Sequence, residues 1–234
     1  KHAQERTLQA ERLAAIGQMM AGLAHESGNA LARSQACLEM LAIELEDRPK
    51  ALNLIGRIQT AQDHLRQLYD EVRNYAAPIK LQLEPWPLPL TWRQAWENLH
   101  LLRQNKKATL TEETGGLDLR LCVDQFRLGQ VFRNILENSM AACPEPVEIA
   151  IVCQRAELGG QPAVRIAVRD NGPGMNAEQR QRIFDPFFTT KTKGTGLGMA
   201  IAKRIIEAHN GQIAVGWPEG RGAEIAITLP CKNH

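Results

Sequence analysis

The segment "AAPIKLQLEPWPLPL", residues 76–90, separates two stretches with different hydrophobic periods. Upstream, apolar residues recur every three or four positions. Downstream, they alternate in short runs. A period near 3.6 belongs to helices and a period of 2 to strands, so the two halves cannot be built from the same elements. In the first half, Leu13, Ile16, Met20 and Leu23 form one seam, and Leu31, Ser34, Leu38, Leu41 and Leu45 form another. The two are out of register by an insertion of four, a stutter that locally unwinds a supercoil. It falls on "HESGNA". "EDRPK" then interrupts the pattern, with Pro49 suited to the first turn of a new helix. Ala51, Leu54, Ile58, Ala61, Leu65, Leu68, Val72 and Tyr75 make the next seam, which Pro78 ends. One helical hairpin leaves a wide apolar surface uncovered. Residues 1–78 are therefore expected to form an all-α hairpin that dimerises into a four-helix bundle.

The second half, residues 79–234, alternates strand-like runs ("KLQL", "ATLTEE", "LDLRL", "VEIAIVCQ", "PAVRIAVRD", "GQIAVGW", "AEIAITLP") with helical stretches. The helices are expected at Thr91–Arg103, Asp124–Ala142, Ala177–Ile183 and Leu197–His209. Without strict β-α-β alternation, the pattern predicts an α+β sandwich with helices on one face of a sheet.

A formal net charge of +2 gives no broad electrostatic case for nucleic acid or a membrane surface. The five cysteines are odd in number and contain no C-x-x-C pair, so a disulfide framework or zinc site is not expected and a reducing, cytoplasmic compartment is. No apolar run approaches the roughly 20 residues that cross a bilayer. The opening "KHAQERTLQAERLAAIG" reads as mid-helix, so an upstream sensor or membrane segment is expected to be missing from this chain.

Three segments of the second half carry chemistry. "VFRNILENSMAA" places Asn134 and Asn138 on one helix face, where an amide oxygen could serve magnesium or simply meet solvent. "VRDNGPGM" puts Asp170 at a strand end before Gly172 and Gly174, which suits either a tight turn or close approach to a flat ligand. "FDPFFTTKTKGTGLGMAIAKRII" leads Gly194, Gly196 and Gly198 straight into an amphipathic helix. Backbone N–H groups at such a start bind phosphate, with Lys191 and Lys193 adding charge nearby.

In this order, the motifs resemble those of sensor histidine kinases. The second half is similar to their ATP-binding domain, a Bergerat-type α/β sandwich shared with gyrase, Hsp90 and MutL ATPases. "NILENSMAA" looks like the N box, "DNGPGM" the G1 box, "FDPFF" the F box and "GTGLGM" the G2 box. The first half resembles the dimerisation and phosphotransfer domain, with "HESGNAL" as its H box. The resemblance implies ATP and Mg2+ as cofactors. Asp170 is then the adenine anchor, Asn138 the magnesium ligand and Asn134 a lining residue of the same site. Gly172 and Gly174 shape the pocket, and Phe184, Phe187 and Phe188 anchor a lid. Gly194, Thr195, Gly196, Leu197 and Gly198 surround the phosphates, with Lys191 as a further phosphate contact.

His25 lies two residues past seam position Leu23, so it is expected to face outward. Its neighbour Glu26 is an acid, and Asn29 sits one turn on. The resemblance assigns His25 as phosphoryl acceptor and Glu26 as the carboxylate that orients it. It links the Glu26–Asn29 pair with dephosphorylation of a response-regulator aspartate. Related ATPases have a glutamate one turn before the magnesium asparagine; this chain has Asn134. Where the family usually has proline, this chain has Ala30. The function so implied is histidine autophosphorylation and phosphotransfer by a homodimer to a receiver domain. A conformational ATPase and an ATP-binding scaffold stand as alternatives.

Overall fold

The computed structural model describes residues 28–104, 106–191, 194–216 and 222–231. The chain divides into two compact units, Lys1–Pro78 and Ile79–His234. In the first, helix α1 covers 28–44 and helix α2 covers Pro49–Ala76, with Pro49 in its first turn. The two double back on each other: Gln62 Nε2 of α2 donates to Ser34 Oγ of α1 at 2.6 Å, and Leu38, Ile55 and Tyr75 are buried. Much of the apolar seam is not. Leu41, Leu54, Ile58 and Leu65 are between 42% and 56% exposed.

The second unit contains β1 (Glu84–Pro87), α3 (Leu88–Asn98), α4 (His100–Arg103), β2 (Ala108–Glu113), β3 (Arg120–Val123) and α5 (Gln125–Ala142). It continues with β4 (Val147–Leu158), β5 (Gln161–Asp170), α6 (Ala177–Arg182), α7 (Gly198–Ala208), β6 (Gln212–Val215) and β7 (Glu224–Pro230). Five strands form a mixed sheet in the order β2-β4-β5-β7-β6, parallel only at β2–β4. Strands β1 and β3 pair separately. Register places Ile151, Val168 and Ile225 in one row and Ile166, Ile227 and Ile213 in the next, all on one face and all buried. The opposite face carries Arg165, Ala167, Arg169, Glu224, Ala226 and Thr228. Small and charged residues stand there opposite a wholly aliphatic face, which is the face that suits a helix layer.

Helices supply the cover. Helix α5 lies between α3 and α7 and touches both. It buries Leu128, Val131, Phe132, Ile135, Leu136 and Met140; α7 buries Met199, Ile201, Ile205 and Ile206. Trp92 of α3 meets Phe132 edge-on, with ring centroids 5.5 Å apart.

Two expectations are corrected. "KLQL" is not a strand: the N–H of Gln82 is taken by Asp124 Oδ2 at 2.9 Å, and pairing begins only at Glu84. Pro85 and Pro87 lie within that strand, in a two-stranded sheet where every position is an edge. The stretch Thr91–Arg103 is two helices that start earlier, at Leu88, and break at Leu99.

Asp124 caps α5, accepting from the N–H groups of Phe126 and Arg127. Its own N–H donates to His209 Nε2 at 3.0 Å, while His209 Nδ1 lies 2.8 Å from the Ile205 carbonyl. An acceptor Nε2 puts the proton on Nδ1, so the buried ring is neutral and joins the start of α5 to the end of α7. Burial lowers the His209 pKa. The unfolded chain then binds the proton more readily, and stability falls as pH drops below the ordinary value of about 6.5. Thermal unfolding followed from pH 7.5 to 5.5 should show this loss. His209→Leu should flatten the slope and cost about 1–3 kcal/mol at neutral pH by stranding the Asp124 N–H.

Candidate functional site

Asp170, the last residue of β5, gathers three chain segments. Its Oδ1 accepts from the N–H of Gly172 at 3.0 Å and of Ala223 at 3.1 Å. Its Oδ2 accepts from the hydroxyl of Ser139 on α5 at 2.8 Å. The glycines make this possible by leaving space. A Cβ on Gly172 would lie 2.9 Å from Asp170 Oδ1 and 3.3 Å from Cys143 Sγ. One on Gly174 would lie 2.9 Å from the carbonyl oxygen of Gly222, and one on Gly222 would overlap the carbonyl oxygen of Asp170. Cys143 is buried at the end of α5. Burial, then the Asp170 charge, pushes its thiol up to about 11, so it stays protonated beside the carboxylate.

The strand that delivers Ala223 is clamped. Glu224 is 2% exposed and bonded to both Arg165 and Arg169 of β5, the latter at 2.6 Å. Burial opposes its charge, but the two guanidiniums outweigh this and hold the carboxyl below its usual range. Gly216 has no room for a side chain because Glu224 fills that space.

Just before Ser139 on the same helix, Asn134 and Asn138 are turned toward the other glycine-rich segment. Asn134 Nδ2 donates to the carbonyl of Gly198 at 2.7 Å. Asn138 Oδ1 accepts from Lys191 Nζ at 2.6 Å. The amide oxygen expected to hold magnesium faces the Lys191 ammonium. Among the described residues no three His, Cys, Asp or Glu side chains cluster as a cage. This donor set suits an ion held by one protein oxygen and otherwise by ligand phosphates and water. Lys191, expected at a phosphate, engages Asn138 instead.

Gly196 joins two motifs. Its φ is +71°, and a Cβ there would lie 2.5 Å from the carbonyl carbon of Phe187 and 2.7 Å from the nitrogen of Phe188. The backbone of "FDPFF" therefore rests directly on the "GTGLGM" turn. Phe184 and Phe188 are half-buried, and the guanidinium of Arg182 stacks 4.5 Å from the Phe188 ring centroid. Phe187 is 56% exposed. Leu197 is fully buried, so its side chain belongs to the core and only its backbone faces the turn, where its N–H donates to Thr195 Oγ1 at 3.2 Å. Gly194 is exposed and meets nothing closer than 3.5 Å, so no steric demand for glycine acts there.

Asp170, Gly172, Gly174, Asn134, Asn138, Lys191, Gly196 and Gly198 thus come together from three separate segments. Asn29 lies in the other unit, exposed on α1. His25 and Glu26 lie outside the described residues. Three participants escaped the sequence reading. Ser139 is adjacent to Asn138, off the face that the four-residue spacing selects. Ala223 contributes only a backbone N–H. Gly222 is needed for space and stands in no glycine-rich run.

A pocket built from these segments on a one-sided mixed sheet defines a nucleotide-binding domain of a known class. Residues 123–233 match the histidine kinase-, DNA gyrase B- and HSP90-like ATPases. The chain is 30% identical, over 98% of its length, to the signal transduction histidine-protein kinase AtoS of Escherichia coli strain K12, of which it spans 37%. It is 31% identical to the catalytic domain of the histidine kinase ThkA, covering 96% of that domain and 64% of this chain with a TM-score of 0.57. Against ThkA in complex with the response regulator TrrA, it is 26% identical over 99% of this chain and 66% of that one, with a TM-score of 0.67. The chain belongs to the sensor histidine kinases.

The two glycines separate cleanly in a test. Gly196→Ala forces a left-handed backbone onto alanine and pushes a methyl into the Phe187–Phe188 backbone, so nucleotide affinity measured by titration should fall more than tenfold. Gly194→Ala should remain within about threefold of the unaltered protein.

Proposed function

We propose that this chain is the kinase core of a two-component sensor. ATP bound against Asp170 gives its γ-phosphoryl group to His25, and the group then passes to an aspartate of a response regulator. The observation that carries this reading is the convergence of Asp170, Asn138 and the Gly196–Gly198 turn through the Ser139, Asn134 and Phe187–Phe188 contacts. Asp170 presents a fixed carboxylate to an exocyclic amine, and Asn138 presents an oxygen to a cation. The glycine-rich turn offers unhindered backbone at the start of α7.

Magnesium, when bound, spreads the charge that develops on the transferring phosphoryl group. Asn138 would hold it through its amide oxygen. In the transfer, a ring nitrogen of His25 attacks the γ-phosphorus, a P–N bond forms, the bond to the β,γ-bridging oxygen breaks, and ADP leaves. Glu26 holds the proton on the other ring nitrogen and stabilises the developing positive charge. In a separate reaction, Asn29 positions a water that attacks the regulator's aspartyl phosphate and releases inorganic phosphate. The position one turn before Asn138 carries an amide, Asn134, whose NH2 is committed to Gly198. The nearby acid Glu137 lies 3.8 Å from Arg133 on the exposed side of α5. Neither arrangement favours activation of water, which supports transfer over hydrolysis.

Dimerisation through the first unit follows from the exposed seam Leu41, Leu54, Ile58 and Leu65, which a second copy would cover. The response-regulator partner is supported by the complex formed by ThkA, and the cytoplasm by the demand for ATP. Among the described residues, no helix is long and apolar enough to cross a membrane.

Incubation with γ-labelled ATP and magnesium tests the reading. Acid-labile, alkali-stable label is expected on the unaltered protein, with at least a hundredfold less on His25→Ala and on Asn138→Ala. ATP turnover without label would favour a conformational ATPase, and nucleotide binding with neither would favour a scaffold. Asn29→Ala should keep the label and lose regulator dephosphorylation.

A further inference from the structure

We infer that Ser139 is the positioning residue that makes Asp170 selective for a 6-amino purine. The inference rests on the nucleotide-binding reading above and deepens it.

A carboxylate offers four in-plane lone-pair sites. Both sites on Asp170 Oδ1 are taken, by the N–H groups of Gly172 and Ala223. On Oδ2, the Ser139 hydroxyl takes one site at 2.8 Å. The Cys143 thiol also hydrogen-bonds the carboxylate, as a weak donor that an amine N–H can displace. The two bonds on Oδ1 already resist rotation about Cβ–Cγ, which is soft in a free aspartate, and leave Oδ2 to be held separately. A donor fixed to a helix and acting on that oxygen holds it. Ser139 is such a donor. It is 5% exposed and sits on a buried turn of α5, so its own position is set by the core.

The hydroxyl also acts by polarity. Having given its hydrogen to Oδ2, it shows only lone pairs to a ligand in the pocket. A ligand group that donates is matched by Oδ2; a group that accepts meets lone pairs from both oxygens. The exocyclic amine of adenine donates, and the 6-oxo group of guanine or hypoxanthine accepts. A site built to receive an N–H discriminates strongly against a ligand without one, because its buried acceptor is then stranded. Cys143 shares this carboxylate as a thiol donor. Its thiol stays protonated and adds no second negative charge beside the carboxylate.

The reading separates Ser139 from a residue that merely packs α5. Loss of packing weakens every nucleotide alike. Loss of the hydroxyl weakens only the ligand that uses the oriented site. The experiment is a set of dissociation constants for ADP, GDP and the 6-unsubstituted purine riboside diphosphate. They are measured on the unaltered chain and on Ser139→Ala, Ser139→Thr and Asp170→Asn, with thermal unfolding of each ligand-free variant. Ser139→Ala should weaken ADP about tenfold and leave the 6-unsubstituted analogue within twofold, so the preference for the amine shrinks about tenfold. Ser139→Thr, which keeps the hydroxyl, should retain most of that preference. Asp170→Asn should abolish it.

An equal loss for ADP and the analogue in Ser139→Ala overturns the proposal, because that is the mark of a structural role. An unchanged preference overturns it too. So does an ADP preference that survives Asp170→Asn. In all three cases the nucleotide-binding reading stands if the unaltered chain binds ADP. Failure of the unaltered chain to bind ADP removes that reading and this inference together.

Discussion

The pocket depends on the carboxylate of Asp170 being fully held from outside its own strand. One oxygen is tied to the turn that follows and to the strand that lies beside it, the other to the central helix. A buried charge is costly unless hydrogen-bonded from several directions. Around this one, the cost is met by donors from α5, from the Gly172 turn and from the entry to β7. The arrangement in turn fixes where β7 begins, and Glu224 bound to Arg165 and Arg169 keeps it there. Removing any one support leaves a half-buried charge with fewer donors.

The helix layer serves the same end from the other side. Asp124 starts α5, His209 ties that start to the end of α7, and Trp92 and Phe132 seal α3 onto it. Asn134, Asn138 and Ser139 then project from a rod whose rotation is fixed by six buried apolar neighbours. Sites built on regular elements hold their geometry more tightly than sites on loops. This pocket combines both, with a rigid wall on α5 and loop backbone opposite it.

The sequence revealed the parts of this structure that follow from periodicity. The bounds of α5 and α7, the run "ATLTEE" and the switch of texture after residue 76 all came from spacing alone. The motif glycines were legible because their positions are unusual in composition. What escaped reading was of two kinds. "KLQL" alternates like a strand but lost its backbone partner to Asp124, a contact 42 residues away that no local rule contains. Ala223 and Gly222 act through a main-chain N–H and an absent Cβ, and neither leaves a mark on residue type. Ser139 was visible but lay one residue off the helix face being counted. Lys191 was legible as a charge, whereas its bond to Asn138, 53 residues away, is set by the fold.

Leu197 stands between Gly196 and Gly198 with its side chain wholly inside the core. It acts as a post driven into the interior. The start of α7 is therefore held from below, by the core, and its register does not depend on exposed Gly194 ahead of it.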